Sequence, residues 1–364
     1  MRFFIASGCP IATTSLYRCV HLSEQLHSLG QEARVVDWFD ETRIDPASAV
    51  GYDAVVLYRL PMSAPLSQVI KAARTAGVPA IFDTDDLIFE PELVYQQRAV
   101  AQLSTREQAQ HVEGVSRYLQ TLQACDAVTT ATPFLAELVR RRGKQVFVHR
   151  NALGNEMLAA ANRLQAKRSA RVPSERVVIG YGSGTATHDT DFSEAAPALR
   201  TILDQFPATE LWLVGPVAIS SELEAFGTRV RRFPLTDWQG WFERASQFDI
   251  ALGPLEMENV FCRAKSEIKF VEAGALGVPL VASKTEPFTE VLAPGENGLL
   301  ASNKEEWTEA LRSLVENLGR RTQIGTSARA SVLRRYAPEI RAAELAQLLP
   351  RLLGAREDNV AARV

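Results

Sequence analysis

Short apolar runs alternate with amphipathic segments along most of the chain. In the first half the apolar runs are Phe3 to Ala6, Glu32 to Val36, Ala54 to Tyr58, Ala80 to Phe82, Ala127 to Thr130 and Val146 to Val148. The segments with apolar residues at helical spacing are Leu16 to Leu29, Ser67 to Ala76, Val94 to Leu122 and the one that begins at Pro133. Strands that alternate with helices form parallel sheets, so the pattern predicts an α/β fold with a doubly wound parallel sheet.

A second cycle of the same kind follows a basic, helix-like connector, Arg163 to Arg171. Its predicted elements are the strand Val177 to Gly182, the helix Ser193 to Phe206, and the strands Glu210 to Val214 and Ile250 to Leu252. We therefore expect two domains, over residues 1–165 and 166–335, and a helix after Tyr336 within the final segment 336–364. Ligands of open parallel sheets bind at the carboxyl ends of the strands, which predicts a site at those ends.

The segment from Lys265 to Ser283 predicts a loop, a helix, a turn and a buried strand. If the helix begins near Ser266, its unpaired N–H groups and its positive dipole end, beside Lys265, suit a diphosphate. Glu272 follows Lys265 by seven positions, which is nearly the same helical face about 10 Å along the axis. That separation matches the span from a diphosphate to a ribose. A carboxylate at that position accepts strong hydrogen bonds from the ribose hydroxyls.

A simpler interpretation is that Glu272 pairs with Lys269 on a solvated helix face. Against it, Ile268, Val271 and Ala275 form an apolar stripe with Glu272 at its rim, which predicts an inward-facing carboxylate. We therefore assign Glu272 to nucleotide binding, with the solvated pair as the alternative.

This segment resembles the nucleotide-binding helix of retaining glycosyltransferases of the GT-B fold, family 4-like. Glu286-Pro287-Phe288, Gly295 to Leu300 and Trp307 extend the resemblance. It implies two Rossmann-like domains with an interdomain cleft, the last helix crossing back to the first domain. It also implies transfer from a UDP-, GDP- or dTDP-linked sugar to a hydroxyl of a glycan or lipid-linked glycan. Retention of configuration and independence of any metal or other cofactor are part of the same expectation.

Two positions depart from the family pattern. The first of the two family glutamates falls on Ala264, so Arg263, Lys265 and Ser266 are the nearest replacements for its sugar contact. A family histidine that contacts the transferred sugar falls on Asp85. The resemblance therefore makes Lys265, Asp85 and Arg263 the catalytic candidates, and the Lys-Ser pair is typical of branches that assemble surface polysaccharide or lipopolysaccharide.

Glycine-containing turns after the first strand of each cycle supply further donor-binding candidates. Gly182, Ser183, Gly184 and Thr185 could hold a phosphate or a base edge through backbone amides, and Gly8 and Cys9 follow the first strand of the chain. Both turns have an ordinary structural alternative, because glycine also permits tight turns. Where the family usually has basic residues for the diphosphate, this chain has Thr185, Thr187 and His188.

The acceptor or sugar candidates are Arg18, Arg59, Asp86, His188 and Asn259. Structural ion pairs are the alternative for both arginines, and helix capping is the alternative for Asp85 and Asp86. A metal site at Asp83 to Asp86 is the interpretation that paired carboxylates invite, but we predict no metal there. Cys262 lies in a loop without neighbours that would activate a thiolate.

Composition narrows these possibilities. A net charge of −3 argues against general nucleic-acid binding. The four cysteines form no Cys-x-x-Cys pair, so neither a zinc site nor a disulfide framework is predicted, and a reducing cytoplasm fits. No apolar run approaches the ~18 residues of a membrane span, so we expect at most peripheral contact at the inner membrane face.

Three functions remain open from the residues. A glycosyltransferase, working beside partner enzymes of a polysaccharide pathway, is the one we favour. A nucleotide-sugar 2-epimerase shares the fold and would need no acceptor. A non-catalytic protein that binds nucleotide sugar or glycan is the third, and the departures at Ala264 and Asp85 favour it.

Overall fold

The computed structural model describes residues 1–172, 174–185 and 189–361, and the chain divides into two compact units. The first unit contains Met1–Asn155, Ala264–Ser266 and Pro338–Val364, and the second contains Glu156–Arg263 and Glu267–Ala337. The predicted doubly wound α/β architecture is confirmed, because each unit is built on a six-stranded sheet whose strands all pair in parallel.

The sheet of the first unit has the order β2-β1-β3-β4-β5-β6. Its strands are β1 (Arg2–Ser7), β2 (Glu32–Asp37), β3 (Ala54–Tyr58), β4 (Ala80–Thr84), β5 (Ala127–Thr130) and β6 (Val146–Val148). The helices of this unit are α1 (Ala12–Ser15), α2 (His21–Ser28), α3 (Ala64–Thr75), α4 (Arg98–Ala101), α5 (Thr105–Ala124), α6 (Pro133–Arg141) and α17 (Pro338–Ala361). A π-helical turn, Leu16–Val20, separates α1 from α2.

The sheet of the second unit has the order β12-β11-β10-β7-β8-β9. Its strands are β7 (Val177–Gly182), β8 (Thr209–Val214), β9 (Val230–Phe233), β10 (Ile250–Gly253), β11 (Leu280–Ser283) and β12 (Leu299–Ala301). The helices that follow the first unit along the chain are α7 (Asn155–Ser169), α8 (Asp189–Ser193), α9 (Ala196–Gln205), α10 (Ser221–Glu224), α11 (Trp238–Ala245), α12 (Val260–Ala264), α13 (Ile268–Ala275), α14 (Glu286–Thr289), α15 (Lys304–Glu316) and α16 (Leu318–Tyr336).

Each unit has its own hydrophobic core. In the first unit Phe3, Ile5 and Ile81 pack with Leu345 and Leu349 of α17, which covers one face of the sheet. The core of the second unit collects Ile179, Leu213, Leu252, Trp307 and Leu311, among others. Burial of side chains of this size contributes roughly 1.5–3 kcal/mol each, so either core can support an independently packed domain.

One long predicted helix is interrupted in the structure, and another begins later than predicted. The prediction of one helix over Val94 to Leu122 is wrong. The Ser104 hydroxyl accepts from the backbone amide of Glu107, and the Glu107 carboxylate accepts from the backbone amide of Ser104. This reciprocal capping box starts a new helix, α5, at Thr105. The helix expected over Ser193 to Phe206 is present as α9, which begins three residues later, at Ala196, with Pro197 in its first turn.

The connector region also differs in detail from the expected boundary at residue 165. Helix α7 begins at Asn155, and its later residues belong to the second unit. Asn162 on α7 fits this position, because its side-chain oxygen accepts from Arg329 of the second unit. The second unit therefore starts at Glu156, ten positions before the expected residue 166.

Candidate functional site

A buried ion pair lies at the carboxyl end of β4 in the first unit. Arg18 binds Asp83 through two bonds, of 2.9 Å from Nε and 2.5 Å from Nη2, and both side chains are 2% exposed. Thr129 on β5 donates to the same carboxylate at 2.6 Å. Burial opposes the charge of Arg18, yet Asp83 raises the pKa of the guanidinium above its ordinary value.

The π-helical turn places Arg18 in this position. A π turn inserts one extra residue into a helix, which rotates the following side chains relative to an ideal α-helix. Nη1 of Arg18 also donates to the carbonyl of His149 at 2.5 Å and to Oδ1 of Asn151 at 3.2 Å. Direct contact of Arg18 with a sugar or an acceptor stays a prediction. The structural ion pair, which we kept as the alternative for Arg18, is what the structure contains.

Asn151 connects this ion pair to the predicted phosphate segment. Its Nδ2 donates to Oγ of Ser266 at 3.0 Å, while its Oδ1 accepts from Arg18. Asn151 is 6% exposed, and Ser266 and Lys265 are half-buried. The backbone around Asn151 is held as well, since His21 contacts the Ala152 carbonyl at 2.9 Å and Glu24 accepts from the Asn155 amide at 2.8 Å.

A second polar cluster forms where β3 ends. Asp85 accepts 2.8 Å hydrogen bonds from the Tyr58 hydroxyl and from Nε of Arg59, and Nη2 of Arg59 lies 3.5 Å from Asp86. Burial raises the pKa of Asp85, but Arg59 and Arg18 lower it more strongly, so the net pKa is below the ordinary value. Asp85 is thus a carboxylate with bound donors, and its role as a catalytic group stays a prediction.

The capping alternative for Asp85 and Asp86 is wrong, because the next helical turn begins only at Pro91. Both carboxylates contact Arg59 instead, and Asp83 contacts Arg18, so the acidic run Asp83 to Asp86 is used for ion pairs with arginine.

Arg59 has a φ of 46°, in the left-handed region that a residue with a side chain seldom adopts. This conformation brings its carbonyl close to Gly8, where a Cβ atom would lie 2.5 Å from that oxygen. Gly8 is therefore required by the close approach of the ends of β1 and β3, independently of any ligand. Cys9 follows with its Sγ 3.0 Å from the Thr14 hydroxyl, and donor binding by Gly8 and Cys9 stays a prediction.

In the second unit, Glu272 projects from α13 and is half-buried. The indole nitrogen of Trp241 donates to Oε2 of Glu272 at 3.0 Å. Lys269, one turn earlier, donates to the carbonyl of Gly182 at 2.7 Å and lies 4.6 Å from the ring centroid of Tyr181. The two charged residues of α13 are thus anchored on neighbouring elements of the same unit.

Helix α13 begins at Ile268, later than the Ser266 that the sequence pattern suggested, because Glu267 occupies the N-cap. Lys265 therefore lies outside the helix, and the argument from helical spacing does not apply to it. Helix α16 holds both ends of α13: the Tyr336 hydroxyl donates to Glu267 at 2.6 Å, and Arg329 donates to the Ala275 carbonyl.

The Gly-x-Gly pattern at the end of β7 has a packing explanation. A Cβ atom on Gly180 would lie 2.2 Å from the Phe248 ring, and one on Gly182 would lie 2.4 Å from the Trp241 ring. The Ser183 amide donates to the Val214 carbonyl and is thereby used in the sheet. Gly184 is exposed and Thr185 follows, so their predicted donor contacts stay predictions, and His188 lies outside the described residues.

The remaining candidates lie around α12. Arg263 binds Glu286 with distances of 2.6 and 2.5 Å, and Asn259 donates to Glu256 at 3.3 Å. Among the described residues, Asp191, Glu256 and Cys262 place potential ligand atoms within 4.8 Å of one another. The Cys262 thiol and the Glu256 amide both donate to Oδ1 of Asp191, and these bonds account for the cluster.

Sequence reasoning missed three of these contacts. Trp241 is 31 positions from Glu272, Tyr58 is 27 from Asp85, and Asn151 is 115 from Ser266. No local signal could have paired them, because each contact depends on how strands and helices pack.

Part of the chain matches a known protein family. Residues 227–347 match the family model described as glycosyl transferase-like. The match spans α13 with Glu272, and also Lys265, Ser266 and Trp241. A search of curated protein sequences gives no significant match.

Several solved structures share the fold over nearly the whole chain. Alr3699/HepE of Anabaena, in complex with UDP-glucose, has a TM-score of 0.62 at 15% identity and covers 96% of this chain and 100% of its own. Sucrose-phosphate synthase of Thermosynechococcus elongatus has a TM-score of 0.66 at 16% identity and covers 98% and 100%. WaaG, a glycosyltransferase involved in lipopolysaccharide biosynthesis, has a TM-score of 0.64 at 12% identity and covers 94% and 99%. The expected GT-B fold is confirmed.

None of the helices in the described part of the chain is both long enough and apolar enough to cross a membrane.

Proposed function

We propose that this chain transfers a glycosyl group from a nucleoside-diphosphate sugar to a hydroxyl of a glycan or lipid-linked glycan. The observation that carries the proposal is the Glu272 carboxylate on α13, held by the Trp241 indole inside the glycosyl transferase-like region. A carboxylate with a fixed orientation can accept hydrogen bonds from both hydroxyls of a ribose. The complex of HepE with UDP-glucose makes UDP the first nucleotide to test.

The leaving diphosphate needs positive charge and hydrogen-bond donors, because negative charge grows there as the glycosidic bond breaks. Lys265 supplies an ammonium group, Ser266 a hydroxyl, and the start of α13 the positive end of a helix dipole. These groups lie in the chain immediately before the helix that carries Glu272. In this proposal they perform the charge stabilisation that a divalent cation provides in other nucleotide-sugar enzymes, so transfer proceeds without metal; retention of configuration is proposed from the family resemblance alone.

The acceptor side is proposed from the first unit. Arg59, Asp85 and Asp86 form a polar cluster at the carboxyl end of β3, where a parallel sheet binds its ligands. The unusual backbone of Arg59 is of the kind that concentrates at functional sites. Ionised Asp85 and the Arg59 guanidinium can together orient sugar hydroxyls. Because WaaG acts in lipopolysaccharide biosynthesis, a surface glycan made at the inner membrane face is the acceptor to test first.

The test is a thermal-shift panel with UDP, GDP, dTDP and their sugar conjugates, with magnesium or with EDTA. We expect one diphosphate to stabilise the native chain equally under both conditions. Glu272→Ala should raise its Kd by about tenfold to a hundredfold, the range of a charged hydrogen bond. Glu316→Ala removes an exposed glutamate at the end of α15 and should leave the Kd unchanged.

Two results would contradict the proposal. One is that no nucleotide stabilises the native chain, and the other is that stabilisation survives Glu272→Ala in full. If a nucleotide sugar binds and is converted to its 2-epimer without an acceptor, the epimerase alternative replaces transfer. Binding without release of free nucleotide over a panel of acceptors would favour the non-catalytic alternative.

A further inference from the structure

Four side chains form a continuous hydrogen-bonded chain from the core of the first unit to Ser266. Asp83 binds Arg18, Arg18 donates to Asn151 at 3.2 Å, and Asn151 donates to Ser266 at 3.0 Å. The first three residues are nearly excluded from solvent, with whole-residue exposures of 1% for Asp83, 3% for Arg18 and 6% for Asn151. Only the last member, Ser266, is half-buried. The chain thus leads from a buried ion pair to a residue of the predicted phosphate segment.

The chemistry of the groups sets the direction of every bond in this chain. A guanidinium has N–H donors and no acceptor, so the atom of Asn151 that faces Arg18 must be its carbonyl oxygen. The amide NH₂ of Asn151 therefore faces Ser266, and an NH₂ group can only donate. Oγ of Ser266 must accept that bond. Its own hydrogen is then directed away from Asn151, toward a different acceptor.

No protein acceptor for the Ser266 hydroxyl hydrogen is present among the residues that the structure describes. A serine hydroxyl without such a bias can either donate or accept, because its hydrogen rotates. Here Asn151 removes the choice and leaves Ser266 as a donor. A fixed hydrogen-bond donor of this kind matches an anionic oxygen, which accepts strong hydrogen bonds. It matches a ligand hydroxyl or amine less well.

We propose that Asn151 is a positioning residue which, held by Arg18, keeps the Ser266 hydroxyl as a hydrogen-bond donor to a diphosphate oxygen of the nucleotide sugar. This inference rests on the proposed function, because the diphosphate is the donor's. It assigns Arg18 and Asp83 a purpose beyond packing: they hold the Asn151 amide in one orientation. The geometry exists before the ligand arrives, so little reorganisation is needed when the diphosphate binds.

Asn151→Asp provides the sharpest test, because the two side chains have nearly the same shape. One oxygen of the introduced carboxylate can still accept from Arg18, but the other can only accept from Ser266. The Ser266 hydrogen then turns toward position 151, and the donor to the diphosphate is lost. We expect Asn151→Asp to raise the Kd of UDP, GDP or dTDP, whichever binds the native chain, by about tenfold or more in calorimetric titration.

Asn151→Ala separates this effect from the new negative charge. It removes the amide without adding a carboxylate, and should also weaken diphosphate binding. Both substitutions should lose most of their effect in a Ser266→Ala background, because a residue that acts through Ser266 has nothing left to position. Equal effects in both backgrounds would overturn the proposal.

Asn162→Asp is the matched control. Asn162 on α7 also accepts from an arginine, Arg329, but lies on an exposed face of the second unit. The same change from amide to carboxylate beside a guanidinium should leave the Kd unchanged. An equal loss of affinity in this variant would show that added charge alone is responsible, and would overturn the positioning role.

Ser266 variants keep the proposal testable if substitution at Asn151 prevents folding. Ser266→Ala should weaken diphosphate binding, and Ser266→Thr, which restores a hydroxyl, should recover it. Native affinity in Ser266→Ala would overturn the inference. Failure of the native chain to bind any of the three nucleotides would instead contradict the proposed function, so the two failures are distinguishable.

Discussion

The two units place different chemistry at the carboxyl ends of their sheets. In the first unit oppositely charged side chains bind one another there: Arg18 with Asp83, and Arg59 with Asp85. In the second unit Glu272 accepts from an indole, and Lys269 donates to a backbone carbonyl. Both arrangements join elements of the fold, but the first consists of nearly buried pairs of opposite charge. Substitutions in these ion pairs should therefore cost stability, and substitution of Glu272 should mainly cost nucleotide binding.

Asp83→Ala should have the largest effect on stability. It leaves the Arg18 guanidinium buried without its carboxylate, which typically lowers the free energy of unfolding by about 3–5 kcal/mol. Urea denaturation followed by far-UV circular dichroism measures this change. Asp86→Ala is the control, because the Asp86 side chain is 39% exposed. Glu272→Ala should change stability by less than about 1 kcal/mol. Comparable losses in Asp83→Ala and Glu272→Ala would remove the distinction between the two units.

The pH dependence of stability should be concentrated in the first unit. Burial lowers the pKa of His21 to about 4, and burial also holds the pKa of His149 well below its ordinary value. Below about pH 6.5 the unfolded chain binds protons that the folded chain does not, so stability falls as the pH is lowered. For His21 the loss between pH 7 and pH 5 should be about 2 kcal/mol.

His21→Asn tests this contribution by urea denaturation at several pH values. The variant should show a flatter fall in stability between pH 7 and pH 5 than the native chain. His27→Asn, on the exposed side of the same helix, should keep the native slope. An unchanged slope in His21→Asn would show that His21 does not contribute through its protonation.

Gly182→Ala should have a smaller effect on stability but a clear one on binding. Its Cβ atom would lie 2.4 Å from the Trp241 ring, and the displaced indole would no longer be placed to donate to Glu272. Overpacking of this kind costs about 1–3 kcal/mol. Thermal unfolding and nucleotide titration check the two effects. For stability, Gly184→Ala is the matched control, because nothing lies within 4 Å of its Cβ position.

If Gly182→Ala retained native nucleotide affinity, Trp241 would not be what orients Glu272. Nucleotide binding would then depend on Glu272 without a contribution from the Trp241 indole. The contrast between the second unit and the ion pairs of the first unit would be weaker.

Much of the fold could be predicted from the sequence. Strands such as Ala54 to Tyr58 and Ala127 to Thr130 have the predicted bounds, because buried parallel strands are continuous apolar runs between turn residues. The helix that carries Glu272 was also predicted, from its apolar stripe. Its first residue was not, since the N-cap at Glu267 is stabilised by Tyr336, 69 positions away.

The sequence by itself determined the residue types at the candidate site: the glutamate at 272, the Lys-Ser pair before its helix, and the glycines at the ends of β1 and β7. These follow from local patterns, which depend only on neighbours in the chain. Only the tertiary structure decided what these residues do together. Whether Arg18 faces solvent or Asp83, and which way the Asn151 amide points, depend on contacts between distant segments. Such contacts arise from packing and burial, and no local spacing encodes them.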